Sequence, residues 1–184
     1  MTEIVPEVLI SEEQIQNKVQ ELAARISADY ADVDDLLLVG ILKGSFIFLA
    51  DLSRALTIPR SVDFMALSNY GDSESTDTDG AVRMIMDLRR NITGKHIVVV
   101  EDIVDTGYTL SYLLRNLAAR QPASLKTCVL VEKPERREVF TQIDYLGFSI
   151  PDVWVVGCGL DWAERYRTLP YIGVVHPDGK DERP

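Results

Sequence analysis

Residues 97–100 read Ile-Val-Val-Val and residues 36–42 read Leu-Leu-Leu-Val-Gly-Ile-Leu, two unbroken apolar runs rich in β-branched or bulky side chains. A strand with one wet face alternates apolar and polar residues; these runs do not, so each reads as a strand covered on both faces. A sheet buried on both sides needs helices above and below it. Ser11 to Gln14 (SEEQ) has capping-box spacing, and Ile15, Val19, Leu22 and Ile26 follow at helical intervals, which predicts a helix over 12–28. GSFIFLADLSRAL after the run at 36–42 predicts a second helix, and residues 107–120 a third. Further strands are expected at 61–67, 81–88, 96–101, 125–132, 153–157 and 171–175. The expected fold class is α/β, a mostly parallel sheet flanked by helices.

With 184 residues and 46% hydrophobic content, the chain suits one well-filled core, and no repeat or linker divides it. A formal net charge of −10 argues against a partner such as nucleic acid or an anionic membrane, so any anionic ligand must be held locally. The start lacks a basic segment followed by an apolar one, and no run approaches the roughly 20 apolar residues that span a bilayer. A cytoplasmic protein is expected. Cys128 and Cys158 lie in apolar strand-like surroundings and are expected to be buried free thiols; with only His96 and His176, a zinc site is not. The final HPDGKDERP reads as a solvated tail.

The run at 97–100 leads straight into Glu101 and Asp102, with Asp105 close behind. In open α/β sheets the carboxyl edge of the strands is where ligands bind. Adjacent carboxylates there are costly to desolvate unless a cation or a hydrogen-bond donor arrives, and a ribose diol or a hard metal ion would both serve. The following DTGYT offers Gly107 for a tight turn, hydroxyls on Thr106 and Thr109, and the free N–H groups of a helix start, together a phosphate cradle. Asp105 in such a loop must turn from the anion toward a proton or a cation. A plainer role, Asp102 or Asp105 capping the helix, is the alternative.

This segment, VVVEDIVDTGYT, resembles the phosphoribosyl-pyrophosphate (PRPP) motif of the type I phosphoribosyltransferases. LLVGILKGS, VEKPERR and VVGCGLDWAERYRTLPYIG resemble the hypoxanthine-guanine branch, and the likeness runs from Val8 to Val175 in the family's order. The resemblance implies one domain over 1–184: a core at about 34–150, a small hood from about 1–15 and 151–175, and a lid loop at 68–80. It implies that Asp105, Thr106, Gly107, Tyr108 and Thr109 hold a 5'-phosphate, and that Glu101 and Asp102 hold the ribose hydroxyls with magnesium. Lys43, Gly44 and Arg167 would bind pyrophosphate, the loop at Lys43 often through a cis peptide. Lys133 would donate to the 6-oxygen of a purine, Trp154 would stack on the base, Val155 would read its edge through the backbone, and Asp161 would help hold a second magnesium. Asn69 and Tyr70 would belong to the lid.

Single residues also admit plainer readings. LKGS suits an ordinary strand-to-helix turn with a solvated lysine, Lys133 a surface charge, Trp154 a core residue, and 68–80 a disordered connection. Arg136 and Arg165 read as surface charges. The chain departs from the family's commoner residues at Asn69 (serine), Trp154 (Phe or Tyr) and Cys158 (Tyr or Phe). GCGLDW lacks the third glycine of a dinucleotide fingerprint.

The implied activity is purine salvage: magnesium-dependent transfer of phosphoribose from PRPP to a 6-oxopurine, with Asp105 exchanging a proton with the purine N7, in a homodimer or homotetramer. Rival readings are a xanthine- or guanine-preferring relative, and an RNA-binding regulator on the same fold, which should carry a basic surface. A receiver domain also has an acid pair at a strand end, but no phosphorylatable aspartate ends a later strand in register.

Overall fold

Alternate residues of the central strands decide which helix covers which face. The structure, a computed structural model, describes residues 5–69 and 82–176. Its elements run β1 (Glu7–Ile10), α1 (Glu12–Asp29), β2 (Leu36–Leu42), α2 (Phe46–Ala55), β3 (Arg60–Asn69), β4 (Val82–Met86), β5 (His96–Val104), α3 (Tyr108–Ala118), β6 (Ser124–Glu132), β7 (Tyr145–Ser149), β8 (Val155–Val156) and β9 (Ile172–Val174). Six strands form a sheet in the order β4-β3-β2-β5-β6-β7, parallel except where β3 meets β4. Leu36, Leu38, Val98, Val100 and Leu130 pack with α1 and α2, whereas Leu37, Val39, Ile97, Val99 and Val129 pack with α3. The pleat sends neighbours to opposite faces, so an unbroken apolar run feeds two cores.

Helix α1 starts as its sequence requires. The Gln14 amide donates to the Ser11 hydroxyl at 3.2 Å, and the Ser11 amide donates to the Gln14 side chain at 2.9 Å. A second, antiparallel sheet of order β1-β9-β8 forms the hood. Cys128 and Cys158 are buried free thiols, and burial pushes both upward, Cys158 to about 12. Among the described residues no helix is long and apolar enough to cross a membrane.

Three differences from the sequence reading have physical causes. Strand β1 was not anticipated; at four residues it is too short to show a period. Strand β7 was also missed, because Gly147 interrupts its pattern; a Cβ there would lie 2.3 Å from the Leu130 carbonyl oxygen, so the close approach of the edge strand demands glycine. Strand β5 runs on to Val104 rather than stopping at residue 101, since its pairing with β6 continues to Val104↔Glu132.

That extension shapes the site. Strand β2 has β3 on one side and β5 on the other, so the winding reverses there, the usual place for a ligand crevice. Pairing of β2 with β5 ends at Gly40↔Val100, while β2 stays on β3 to Leu42 and β5 stays on β6 to Val104. The two central strands therefore part, and a cleft opens between residues 41–45 and 101–104. Removing the α1 cap tests the local logic: Ser11→Ala should lower stability by about 1 kcal/mol, read as a lower urea midpoint at unchanged slope.

Candidate active site

Where the strands part lies a cavity of about 390 Å³, lined in part by Glu101, Asp105, Thr106, Gly107 and Thr109. Glu101 and Asp102 are each only 8% exposed, and the Glu101 Oε2 atom has no hydrogen-bond partner among the described residues. Burial, and then the charge of Asp102, drives the Glu101 carboxyl well above its ordinary value. Asp102 is raised to about 6, mainly by burial, with the amides of Asp102 and Ile103 and the Arg167 charge pulling the other way. Of the pair, Glu101 Oε2 is thus the oxygen left, among the described residues, for a donor or cation from outside.

The β2–α2 loop presses on this pair. A Cβ on Gly44 would lie 1.8 Å from Asp102 Oδ2, and one on Gly159, whose φ is +103°, would lie 1.8 Å from the Gly44 carbonyl oxygen. The backbone at Gly44 is sandwiched between carboxylate and hood, which explains two glycines at once. The Leu42–Lys43 peptide is cis, as the resemblance implies.

The loop from Asp105 to Thr109 is braced from behind. The Thr106 carbonyl accepts from the amides of Glu138 and Val139, both at 3.0 Å, and Gly107 turns with φ +92°. No side chain caps α3, so neither Asp102 nor Asp105 takes the capping role, and the helix start keeps its N–H groups for an anion. The Tyr108 side chain is about half exposed.

Charged side chains join the remaining candidates into two networks. Arg136 Nε donates to Asp105 Oδ1 at 2.8 Å, Arg136 Nη1 lies 3.7 Å from Asp152 Oδ2, and Lys133 Nζ donates to Asp152 Oδ1 at 3.4 Å. Arg136, expected to be a surface charge, is partly exposed and ion-paired with Asp105. Lys133 is buried, Val155 is buried in β8, Trp154 is half-buried, and Arg165 is exposed. In the second network Arg167 reaches Asp161 Oδ1 and the Gly159 carbonyl, both at 2.9 Å, while Lys43 Nζ donates to Glu164 Oε1 at 3.1 Å. Asn69 ends β3, paired with Val82, and Tyr70 and the rest of the segment expected to form a lid lie outside the described residues. Sequence reasoning did not single out Asp152 or Glu164; the partners of Asp152, and the Lys43 partner of Glu164, come from other segments of the chain.

No three His, Cys, Asp or Glu side chains converge into a metal cage among the described residues. Magnesium does not need one, because it keeps waters and takes one or two carboxylates with substrate oxygens. The orphaned Glu101 oxygen beside Asp102 fits that demand, as does the all-oxygen donor chemistry.

A family model for the phosphoribosyl transferase domain matches residues 11–162. The chain is 48% identical over 178 residues to a hypoxanthine-guanine phosphoribosyltransferase of Mycobacterium avium, covering 94% of this chain and 87% of that protein. It superposes with TM-score 0.87 and 45% identity on a hypoxanthine-guanine phosphoribosyltransferase from Bacillus anthracis, covering 94% of this chain and all of that one. A Trypanosoma cruzi hypoxanthine phosphoribosyltransferase solved with the product IMP gives TM-score 0.87 at 42% identity, covering 97% and 98%.

Two expectations follow from the packing. Gly44→Ala should push the Asp102 carboxylate aside and cut activity about 100-fold, measured as kcat/KM on a folded variant. Asp102 keeps its proton to about pH 6 when folded but only to about 4 when unfolded, so the folded state binds the extra proton between those values and stability falls as pH rises through them. Asp102→Asn should remove that loss, gaining up to about 3 kcal/mol on wild type at pH 7 relative to pH 4 in urea titrations.

Proposed function

The chain belongs to the phosphoribosyl transferase family, and from that membership we propose that it transfers the 5-phosphoribosyl group of PRPP to hypoxanthine or guanine, forming IMP or GMP and pyrophosphate. The observation that carries this reading is the buried Glu101–Asp102 pair at the parting of β2 and β5, followed at once by an uncapped helix start behind Gly107. A buried acid pair with an unpartnered Glu101 oxygen suits a ribose diol, and free amides one turn away suit the phosphate of the same sugar.

In this reading the loop Asp105–Thr109 holds the 5'-phosphate through its amides and the hydroxyls of Thr106 and Thr109. Lys43, the Gly44 backbone and Arg167 bind the pyrophosphate. Glu101 and Asp102 hold the ribose hydroxyls and one magnesium, and Asp161 helps hold a second. Magnesium supplies screening for the charge that grows on the departing pyrophosphate. Trp154 stacks on the purine, Val155 meets its edge through the backbone, and Lys133, fixed near Asp152, donates to the 6-oxygen, which an adenine amino group would repel.

The bond from the sugar C1 to pyrophosphate breaks as the purine N9 bonds to that carbon, and the proton on N7 must leave. In this reading Asp105 takes it. Arg136 Nε occupies Oδ1, and among the described residues Oδ2 makes no hydrogen bond, so one oxygen anchors the carboxylate and the other is open. The lid with Asn69 and Tyr70 would exclude water from the reacting carbon. An RNA-binding role finds no support in a chain of net charge −10. The exposed Ile85 on edge strand β4 offers a surface that a second copy would cover in a homodimer or homotetramer.

The deciding assay incubates the protein with PRPP, magnesium and, in turn, hypoxanthine, guanine, xanthine and adenine. IMP and GMP should form; nucleotide from adenine alone would remove Lys133 from its role. Asp105→Asn should lower kcat by about 100-fold or more with little change in the KM for PRPP, and wild-type turnover across the pH range would end the proton-transfer assignment.

A further inference from the structure

Lys43 and Arg167, the two cations assigned to pyrophosphate, are already bridged by one oxygen of the chain. Glu164 Oε1 lies 3.1 Å from Lys43 Nζ and 3.3 Å from Arg167 Nη2. Lys43 comes from the β2–α2 loop and the other two residues from the hood, so this contact closes the hood onto the sheet edge. The placement is built rather than incidental. Trp162 and Arg165 pair backbone to backbone at 3.2 and 3.0 Å across a two-residue turn. Ala163 and Glu164 sit in it with φ of 51° and 61°, a left-handed conformation unfavourable for side chains other than Gly, Asn or Asp. The Glu164 amide donates to Asp161 Oδ2 at 2.8 Å, and Asp161 in turn grips Arg167. The turn is thus stapled to the arginine that its carboxylate touches.

Resting on the phosphoribosyl reading, we propose that Glu164 is an internal substitute for pyrophosphate: without substrate its carboxylate occupies Lys43 and Arg167, and the diphosphate binds by displacing it and leaves as it returns. Two cations held near each other without an anion repel, and a carboxylate between them removes that repulsion. The substitute must also be easy to dislodge. Glu164 and Lys43 are 65% and 68% exposed, where ion pairs contribute little net free energy, so a polyanion with several oxygens outcompetes one carboxylate. The carboxylate nonetheless acts at the high local concentration of a tethered group, which opposes rebinding of the product.

The test titrates magnesium pyrophosphate, and separately ribose 5-phosphate, into wild type, Glu164→Gln and Glu164→Ala by calorimetry. Both variants should bind pyrophosphate roughly three- to tenfold more tightly, with ribose 5-phosphate affinity unchanged and a lower KM for PRPP in turnover. Equal or weaker pyrophosphate affinity in both variants, with ribose 5-phosphate binding intact, overturns the substitution. A wild-type protein that binds neither compound overturns the phosphoribosyl reading beneath it, a result distinct from the first.

Discussion

The contact between Gly44 and the Asp102 carboxylate governs the site. It exists because β2 and β5 separate after Gly40 and Val100, which lets the β2–α2 loop fold back over the end of β5. A side chain at Gly44 would occupy the carboxylate's own space, and one at Gly159 would occupy the Gly44 carbonyl's. Three segments distant in sequence, 42–45, 101–102 and 157–161, therefore have one mutual arrangement that avoids overlap. The acids are buried by that arrangement, and their burial is what raises their proton affinity. Geometry and electrostatics here have a single origin.

That origin also explains why an unfavourable feature persists. An apolar core of this size would be more stable without two buried carboxyls, one of which keeps an oxygen unpaired. The flanking strands are well able to carry the cost: Val98, Val99 and Val100 are fully buried, and both core clusters meet across them. The sheet supplies stability in its middle and spends it at its carboxyl edge, where donors from a ligand would restore what the fold withholds.

How far this was legible depends on range. Local signals read true: the capping box at Ser11, the doubly buried runs at 36–42 and 97–100, and the turn at Gly107 each depend on neighbours in sequence. Strand β7 escaped because Gly147 is fixed by the Leu130 carbonyl, a contact no window around residue 147 contains. The ion pairs of Arg136 are hidden from sequence for the same reason, since its partners Asp105 and Asp152 lie 31 residues before it and beyond β7, respectively. The acid pair was visible as residues but not as a buried, interior part of β5, because the strand's length is set by its pairing with β6.

The charged groups of the site share a further property. Lys133 faces Asp152, Arg136 faces Asp105 and Asp152, Arg167 faces Asp161 and Glu164, and Lys43 faces Glu164. Each of these four cations is thus neutralised internally, in a chain whose net charge is −10. Long-range attraction cannot draw an anion to such a protein. In the proposed reading, binding at Lys43 and Arg167 proceeds as exchange, with ligand oxygens replacing the Glu164 carboxylate, and only the difference between the two sets of contacts appears as affinity. Exchange of this kind favours a ligand that presents several oxygens at once over a single carboxylate. It also means that the acids, as much as the cations, determine how readily a polyanion enters and leaves.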